Sequence, residues 1–509
     1  MLESCGRRRN AYVCFAFCAL IAAAFLLIGS KSSPLYPMND WVDMHCFFTV
    51  GRGWREGSLP YRDLVEQKGP ILYAVYALVS MISSGSFIGV FLLEALTTAA
   101  FLYVCHQIMQ LYLGSTRWIN AGLIVLTACF VLSKAFCHGG SLEETTLFMP
   151  AYSLLSLLRA QKQKRLLQSR EVLLHGILCG ICLMTKYTLC GFYFGLALSV
   201  LVWYGLAGAW KKLPGVIGWF LLGTALVCAV VSAYFAVHGA LDDLWKCYFY
   251  NNIFIYTGAG TDRSLALSAL EAVKSAGTGL VLRMMENKPM ALLILLGFGY
   301  LLFSSRPEKT EAVSVLLSFG ALAFSTFFTG WSCTYYVLPL FAYAVFGVIA
   351  GIDIIRRAVR IKPGHLWLSC GLLGMMMLVS LATVYRKSDN TYLLKYAREE
   401  MPQYRFAQRI NQIEDATLLN YGFLDGGFYY AAGIIPDCPY FCRLMADIPE
   451  MMQVQNAYVK EGRTDFVVTQ NQKISDMPWI DTGVYELVDE AQFRFEGDWP
   501  VYYLYQRKK

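Results

Sequence analysis

Long apolar runs separated by short polar breaks dominate the chain. The first, Ala11 to Ile28, follows Arg7, Arg8 and Arg9. An uncharged run of ~18 residues or more reaches across a bilayer. The length of this one, with further spans behind it, predicts an uncleaved first span rather than a removed signal. A charged, glycine-rich island follows, Asn39 to Pro70, and then a shorter apolar segment, Ile71 to Ser83, between Pro70 and Gly85. That segment is too short to span comfortably and is expected as an interfacial or re-entrant helix on the outer side. Span two runs from about Phe87 to Tyr112 and span three from Ile119 to Phe136. Span four ends at Arg159, span five reaches Lys186, span six ends before Lys211 and Lys212, and span seven exits near Val237. His238 to about Asn287 reads as an outer stretch, span eight ends before Arg306, spans nine and ten bracket the hairpin FTGWSCTYYV, and span eleven exits near Tyr385.

After Arg386 the pattern changes to mixed polar sequence. MPQYRFAQRINQI has the period of an amphipathic helix, ATLLNYG and DFVVTQ read as buried strands, and VYYLYQ reads as a last strand. LDGGFYYAAGIIP between them reads as a turn region. The expected organisation is a transmembrane module, residues 1–386, whose first outer loop (30–87) carries interfacial helices, and a small extracytoplasmic α/β domain, residues 387–509.

Composition and charge decide between topologies. Hydrophobic residues make up 56% of the chain and charged residues 16%, against about 25% charge in a soluble globular protein. The net charge of +7 would suggest nucleic acid in a soluble protein. Here the basic residues lie in short loops between spans, so they report orientation, and no nucleic-acid partner is expected. With Arg7 to Arg9 inside, Arg117, the cluster Lys162, Lys164, Arg165 and Arg170, the pair Lys211 and Lys212, Arg306 and Lys309, and the run from Arg356 to Lys362 all fall inside. If Ile71 to Ser83 were a full span, Arg159 to Arg170 and the loops after it would lie outside. The fold class is therefore mainly α and polytopic, with about eleven spans, a cytoplasmic N-terminus and an extracytoplasmic C-terminal domain. The 16 cysteines are scattered, many in apolar runs, without zinc-ligand spacing. Cys438 and Cys442 are placed to form a disulfide if their side is oxidising.

In this topology three outer segments converge, each with ionisable residues near the membrane boundary, where such groups are expensive. Asp43 opens DMHCFFTVGRGWREG, a short amphipathic helix, and is the candidate general base for an acceptor hydroxyl or amine. Asp40 competes with it, but is better read as a helix cap. PYRDLVEQKGP, stiffened by Pro60 and Gly69-Pro70, offers Arg62 and Lys68 to phosphate and Asp63 or Glu66 to a divalent cation; a solvated loop with internal ion pairs is the alternative. Glu143 and Glu144 begin span four, either complementing a helix N-terminus or supplying a second acid. Glu94, two turns inside span two, needs a partner, for which an inward-facing Arg or Lys is expected. Lys186 in MTKYT suits a lipid-linked phosphate, with snorkelling as the bland reading. Tyr335, Tyr336 and the aromatics of CYFYNNIFIY read as interface-belt residues.

These motifs together resemble the membrane glycosyltransferases of the GT-C class. The likeness is to the branch containing protein O-mannosyltransferases, lipid A aminoarabinose transferases and bacterial RgtA/B/C/D-like enzymes. It is carried by an Asp followed by Gly-x-PYRD and KGP in the first loop, GGSLEE before span four, LMTKYT at span five and YFYNN after span seven, in that order, over residues 10 to 385. The resemblance implies sugar transfer from a polyprenyl-phosphate donor with inversion, to a glycan, lipid or protein acceptor outside the cytoplasm. It implies Asp43 as the first-loop catalytic aspartate, Glu143 or Glu144 as a second acidic position, and Lys186 near the donor phosphate. Glu66 and Asn252 fall near positions that bind a metal through Glu and His in aminoarabinose transferases. Asn252 stands in place of that His, so a divalent cation is left open as the only candidate cofactor. Thr334 stands where many bacterial relatives carry His before the Tyr pair.

The residues fit this chemistry independently. A prenyl phosphate leaves with negative charge that cations stabilise, and its tail needs a groove, for which Phe and Leu of spans five, six and nine are available. A transporter or flippase would instead place charges at the bilayer midplane and repeat one half of the chain; the charges here crowd one boundary and no repeat is visible. An assembly protein whose outer domain binds a partner is the remaining alternative.

Overall fold

The computed structural model describes residues 2–114, 116–255, 265–330, 332–358, 366–445, 448–480, 483–495 and 498–508, with the side chains of 2–9, 116, 265–268 and 366–369 excluded. The side chains of Arg7 to Arg9, residues 359–362 of the expected inner loop, Tyr256 and Trp331 thus lie outside the described residues. The chain divides into two compact units. The first comprises Met1–Ser33, Phe91–Ala229 and Arg263–Thr391; the second comprises Pro34–Val90, Val230–Asp262 and Tyr392–Lys509.

In chain order the helices are α1 (Leu2–Gly29), α2 (Val42–Arg55), α3 (Pro70–Ile82), α4 (Ile88–Leu113), α5 (Thr116–Val131), α6 (Leu142–Thr146), α7 (Phe148–Lys162), α8 (Ser169–Leu183), α9 (Cys190–Leu206), α10 (Leu213–Val237) and α11 (Leu241–Leu244). A π-helical segment, Trp245–Ile255, follows. Then come α12 (Leu265–Glu286), α13 (Lys288–Phe303), α14 (Lys309–Phe327), a 3-10 segment Thr334–Tyr343, α15 (Ala344–Ala358) and α16 (Leu366–Lys387). Among the described residues seven helices are long and apolar enough to cross a membrane, or eight if α12 and α13, bent by 113° at their junction, count as one span. Three further segments expected to span form shorter helices: α5 of 16 residues, and α7 and α8 of 15 each. α12 falls in the stretch read as an outer loop. Its polar positions break a continuous apolar run, and its bend into α13 hides the periodicity of the pair.

Within the first unit, several helices link two chemically different ends. At one end Arg306 Nη1 donates to the Tyr112 carbonyl at 2.7 Å and Lys162 Nζ to the Arg306 carbonyl at 2.9 Å. Lys162 pairs with buried Glu311 at 3.3 Å, and Asp353 accepts both Arg306 and Arg357. At the other end Asn390 Nδ2 bridges the carbonyls of Gly29 and Cys137, and Asn287 Oδ1 accepts the Ala135 amide. α7, ending at Lys162, and α13, running from beside Asn287 towards Arg306, connect the two. The loops carrying Lys162, Arg306 and Arg357 thus share one end, in line with the charge pattern.

The second unit is built on α2, α3 and a small mixed sheet. α2 lies so close to α3 that a Cβ on Gly51 would stand 2.7 Å from the Tyr76 backbone. Only glycine permits that approach. The sheet has strands β1 (Leu418–Asn420), β2 (Phe466–Gln470), β3 (Tyr485–Gln492) and β4 (Val501–Arg507) in the order β1-β2-β4-β3. β1 and β2 are parallel, while β4 runs antiparallel to both β2 and β3. Leu418, Leu419, Val467, Val468 and Leu504 form its buried centre. Helices α17 (Pro402–Ile410), α18 (Phe428–Ala432) and α19 (Pro449–Lys460) accompany it. α18 replaces the expected LDGGFYYAAGIIP turn: Gly427 and Gly433, both left-handed, bracket one short helix. β3 was not expected either, because its charged YELVDEAQ sequence is an exposed edge with a bulge between Leu487 and Asp489.

Candidate functional site

Two groups of candidate residues are assembled, one in each unit. In the first unit the turn after α5 carries Cys137 to Ser141 and delivers Glu143 and Glu144 on α6. Ser141 caps that helix, its Oγ accepting the Glu144 amide at 3.1 Å. Glu144 Oε2 reaches back to accept the Gly140 amide at 2.9 Å. This is a capping-box arrangement shifted by one residue. Glu144 Oε1 is buried without a hydrogen-bond partner, and burial pushes the carboxyl up to about 8.

Glu143 has a different role. Its carboxylate forms an ion pair with the Lys186 ammonium, delivered just past the end of α8. The same ammonium sits 3.5 Å from the centre of the Tyr336 ring and 5.9 Å from that of Tyr335. Tyr336 is therefore a cation–π partner rather than only a belt residue. Arg283, on α12, was missed by sequence reasoning. Its Nε donates to Ser332 Oγ at 2.6 Å and its Nη1 lies 3.4 Å from Thr334 Oγ1. It thus places a second guanidinium or ammonium charge on the Tyr335–Tyr336 hairpin. Its spacing from that hairpin, 49 residues to Ser332, left no local signal. Glu94 forms no ion pair among the described residues, contrary to expectation; it accepts from Ser30 Oγ at 2.7 Å. A hydroxyl meets one oxygen of the buried carboxyl group without bringing a second charge out of water, while Oε1 has no hydrogen-bond partner.

In the second unit Asp43 stands in the first turn of α2, half-buried. Asp40 does not cap that helix. The cap position is Trp41, whose amide is held by Asn39 Oδ1 at 3.1 Å, while Asp40 accepts from Tyr392 Oη at 2.8 Å. Glu66 is buried and accepts from the Lys68 amide at 2.9 Å and from the Tyr73 hydroxyl. Its carboxyl is raised, first by burial and further by the negative charge of Asp43, with Lys68 opposing. Glu66 therefore lies within electrostatic reach of both Asp43 and Lys68. Asn252, in the π-helical segment, fixes this loop by donating to the Gln67 carbonyl at 2.6 Å and the Tyr248 carbonyl at 2.8 Å. π-helical segments recur at functional sites. Arg62 and Asp63 stay apart from this group. They pair with each other at 3.1 Å on the surface, and Asp63 Oδ2 accepts the Leu59 amide at 2.7 Å.

Among the described residues no three His, Cys, Asp or Glu side chains gather as a metal site. Cys438 and Cys442 are both free thiols, so the disulfide allowed by their spacing is not formed; Cys442 Sγ lies 3.8 Å from Cys46 Sγ instead.

No family model and no curated protein matches the sequence. Solved structures do match. ArnT from Cupriavidus metallidurans bound to undecaprenyl phosphate aligns with a TM-score of 0.61 at 14% identity, covering 95% of this chain and 97% of that one. The apo state of the same protein aligns with a TM-score of 0.58 at 14% identity, covering 98% of both chains. This chain is therefore a multi-pass membrane protein with the fold of ArnT from end to end.

Proposed function

We propose that this protein is a glycosyltransferase that moves a sugar from a polyprenyl-phosphate carrier to a glycan, lipid or protein acceptor outside the cytoplasm. The observation that carries the reading is the Lys186 ammonium held between the Glu143 carboxylate and the Tyr336 ring. It stands at the end of the first unit away from the basic loops, in a chain whose fold is shared with a protein crystallised with undecaprenyl phosphate. Lys186 meets the departing phosphate, and Lys68 supports donor binding. Asp43 removes the proton from the acceptor hydroxyl or amine. The acceptor atom then attacks the anomeric carbon, the carbon–oxygen bond to phosphate breaks, and the prenyl phosphate leaves with the electron pair. A single displacement of this kind inverts the anomeric centre. Glu143 sets the position of Lys186, and Glu144, neutral near pH 7, holds the turn that presents Glu143.

The basic end faces the cytoplasm in this reading, because Lys and Arg accumulate in inner loops. The residues do not suit a tightly held divalent cation. Glu66 offers one carboxylate, and its Oε2 is already occupied by the Lys68 amide and the Tyr73 hydroxyl. Asn252 spends its amide nitrogen on two carbonyls.

The test is Asp43→Asn, assayed for sugar transfer in membranes supplied with a polyprenyl-phosphate-linked sugar. Loss of a general base lowers the rate by roughly 10²–10⁴-fold. Unchanged transfer removes Asp43 from the mechanism.

A further inference from the structure

α8, α9 and α10 enclose a surface groove that the proposed reaction does not use. Its apolar part has a volume of about 300 Å³ and is lined by Val172, Tyr193, Leu196, Val200, Val216 and Phe220 among others. A second cavity of about 310 Å³ continues it, sharing Leu167, Val172 and Val216. That cavity is polar: Ser169, Tyr204, Lys211, Lys212 and Trp219 surround it, and Gly215 leaves it open, since a Cβ there would meet nothing within 4 Å.

The polar cavity carries basic charge that no acid among the described residues offsets. Arg165 is engaged by Glu171, with two contacts of 2.8 Å, and Lys162 by Glu311 at 3.3 Å. Lys211 and Lys212 are exposed and enter no ion pair among the described residues. One helix begins at this cavity, α8 at Ser169, and a 3-10 turn, Trp210–Lys212, runs past it into α10. The positive dipole end of α8 favours an anion there, while its capping box already engages the Gln168 and Glu171 amides. Glu171, in the first turn of α8, is the only acid in either first turn, and Arg165 neutralises it. Trp219 lines the site and exposed Trp210 precedes Lys211, as indoles do at a membrane–water boundary.

We propose that this groove binds one anionic glycerophospholipid, its phosphate between Lys211 and Lys212 and one acyl chain along the apolar floor. An anionic head matches the unpaired lysines, and an acyl chain matches the groove that continues from them. A free phosphate would leave the apolar part empty. The polyprenyl carrier is not the occupant, because its phosphate belongs by Lys186, at the far end of α8. The 15 residues of that helix separate the two positions by roughly 22 Å at 1.5 Å per residue.

The experiment is native mass spectrometry of the full-length protein in detergent, titrated with phosphatidylglycerol, phosphatidylcholine or undecaprenyl phosphate. The wild type is expected to retain one phosphatidylglycerol in preference to phosphatidylcholine. The double substitution Lys211→Gln/Lys212→Gln should weaken phosphatidylglycerol retention by about tenfold or more, given the usual worth of two lysines at an anionic surface. Ala197→Trp, which fills the groove and leaves both charges in place, should weaken it as well. Both variants are checked for an unchanged melting temperature; a variant that melts earlier is replaced by Lys211→Gln alone or Ala197→Leu, with the same expectation. Equal retention by the lysine variant, equal retention of phosphatidylcholine by the wild type, or displacement by equimolar undecaprenyl phosphate would each overturn the proposal.

Discussion

The Lys186 ammonium and the Glu143 carboxylate form an ion pair in which the carboxylate is almost wholly buried, its side chain 2% exposed against 13% for the lysine. The acid therefore depends on the lysine more than the lysine depends on the acid. Breaking a buried pair from one side destabilises by about 3–5 kcal/mol, because the remaining charge is left unpaired. Lys186→Met should lower both stability and sugar transfer. The double variant Lys186→Met/Glu143→Gln removes both charges, so it should recover most of the stability and none of the transfer. Thermal melting and turnover measured on the same three proteins check this. Recovery of transfer together with stability would make Lys186 structural only.

The ring of Tyr336 adds a second, neutral contact to the same ammonium. A cation–π contact of this kind contributes about 0.5–2 kcal/mol, or roughly 2- to 30-fold in an equilibrium constant. Tyr336→Phe keeps the ring and should leave the KM for the lipid-phosphate donor near the wild-type value. Tyr336→Leu should raise it within that range. If both substitutions raise it equally, the hydroxyl and not the ring is what matters; if neither does, the ring makes no contribution to donor binding.

Glu144 predicts an alkaline effect. Its carboxyl is raised to about 8 by burial, so in the folded protein it holds its proton where the unfolded chain has released it. Its contribution to stability is complete below the ordinary carboxylate range of ~4.3 and is lost as pH rises through about 8. Glu144→Gln mimics the protonated form. The substitution should leave melting at pH 5 nearly unchanged and raise it at pH 8.5 relative to the wild type. Equal pH dependence in the two proteins would show that Glu144 is not the titrating group.

Much of this architecture can be read from residue order. α3, α17 and β4 follow from local periodicity, because each keeps an exposed side, and β1 and β2 from short apolar runs buried on both faces; α2 is legible as a helix even though residues 44–53 are buried all round. The common end of the loops carrying Lys162, Arg306 and Arg357 follows from charge alone. What escaped was set by distance. Lys186 finds Glu143 across 43 residues and Arg283 finds Ser332 across 49, and nothing local marks either partner. Asp40 looked like a cap because it precedes a helix, yet Tyr392, 352 residues away, claims its carboxylate. β3 carries charges at positions a buried strand would keep apolar, and the α12–α13 bend interrupts a period that only the folded pair reveals.

Gly427 tests how firmly the LDGG motif is fixed against α2. Its φ is +87°, a region L-residues avoid, and an added Cβ would stand 2.6 Å from His45 Nε2. His45 is fully buried between Phe87 and Tyr430 and has no room to retreat. Gly427→Ala should therefore destabilise by more than the ~1–3 kcal/mol of backbone strain alone. Gly433→Ala provides the comparison. It has a similar φ of +77° but meets nothing within 4 Å, so only the strain should appear. Equal melting losses for the two would mean that His45 yields.

His45 and Asp425 make opposite demands on pH within the second unit. His45 is lowered to about 4 by burial, and neither ring nitrogen has a hydrogen-bond partner. Its stabilising share is present above ~6.5 and is lost as pH falls through about 4, on the order of 3 kcal/mol. Asp425 accepts from Thr49 Oγ1 at 2.6 Å and from the Gly427 amide at 2.9 Å. Burial nevertheless raises it to about 6. Its share is present below ~3.9 and is lost as pH rises through about 6, again on the order of 3 kcal/mol. Between pH 4 and 6 the two changes nearly cancel, so the wild type should show a flat melting profile there. Asp425→Asn keeps the acceptor for Thr49 and removes the acid. Its Nδ2 then faces the Gly427 amide in place of an accepting oxygen, a loss that does not vary with pH, so the readout is the slope: its melting should fall steeply below pH 6, where the His45 penalty is no longer offset. His45→Leu should do the reverse, gaining stability as pH drops from 6 to 4. Melting temperatures of the three proteins in detergent from pH 4 to 8 decide the matter: parallel curves would mean that neither buried group titrates on unfolding, and that the acid response of this unit lies elsewhere.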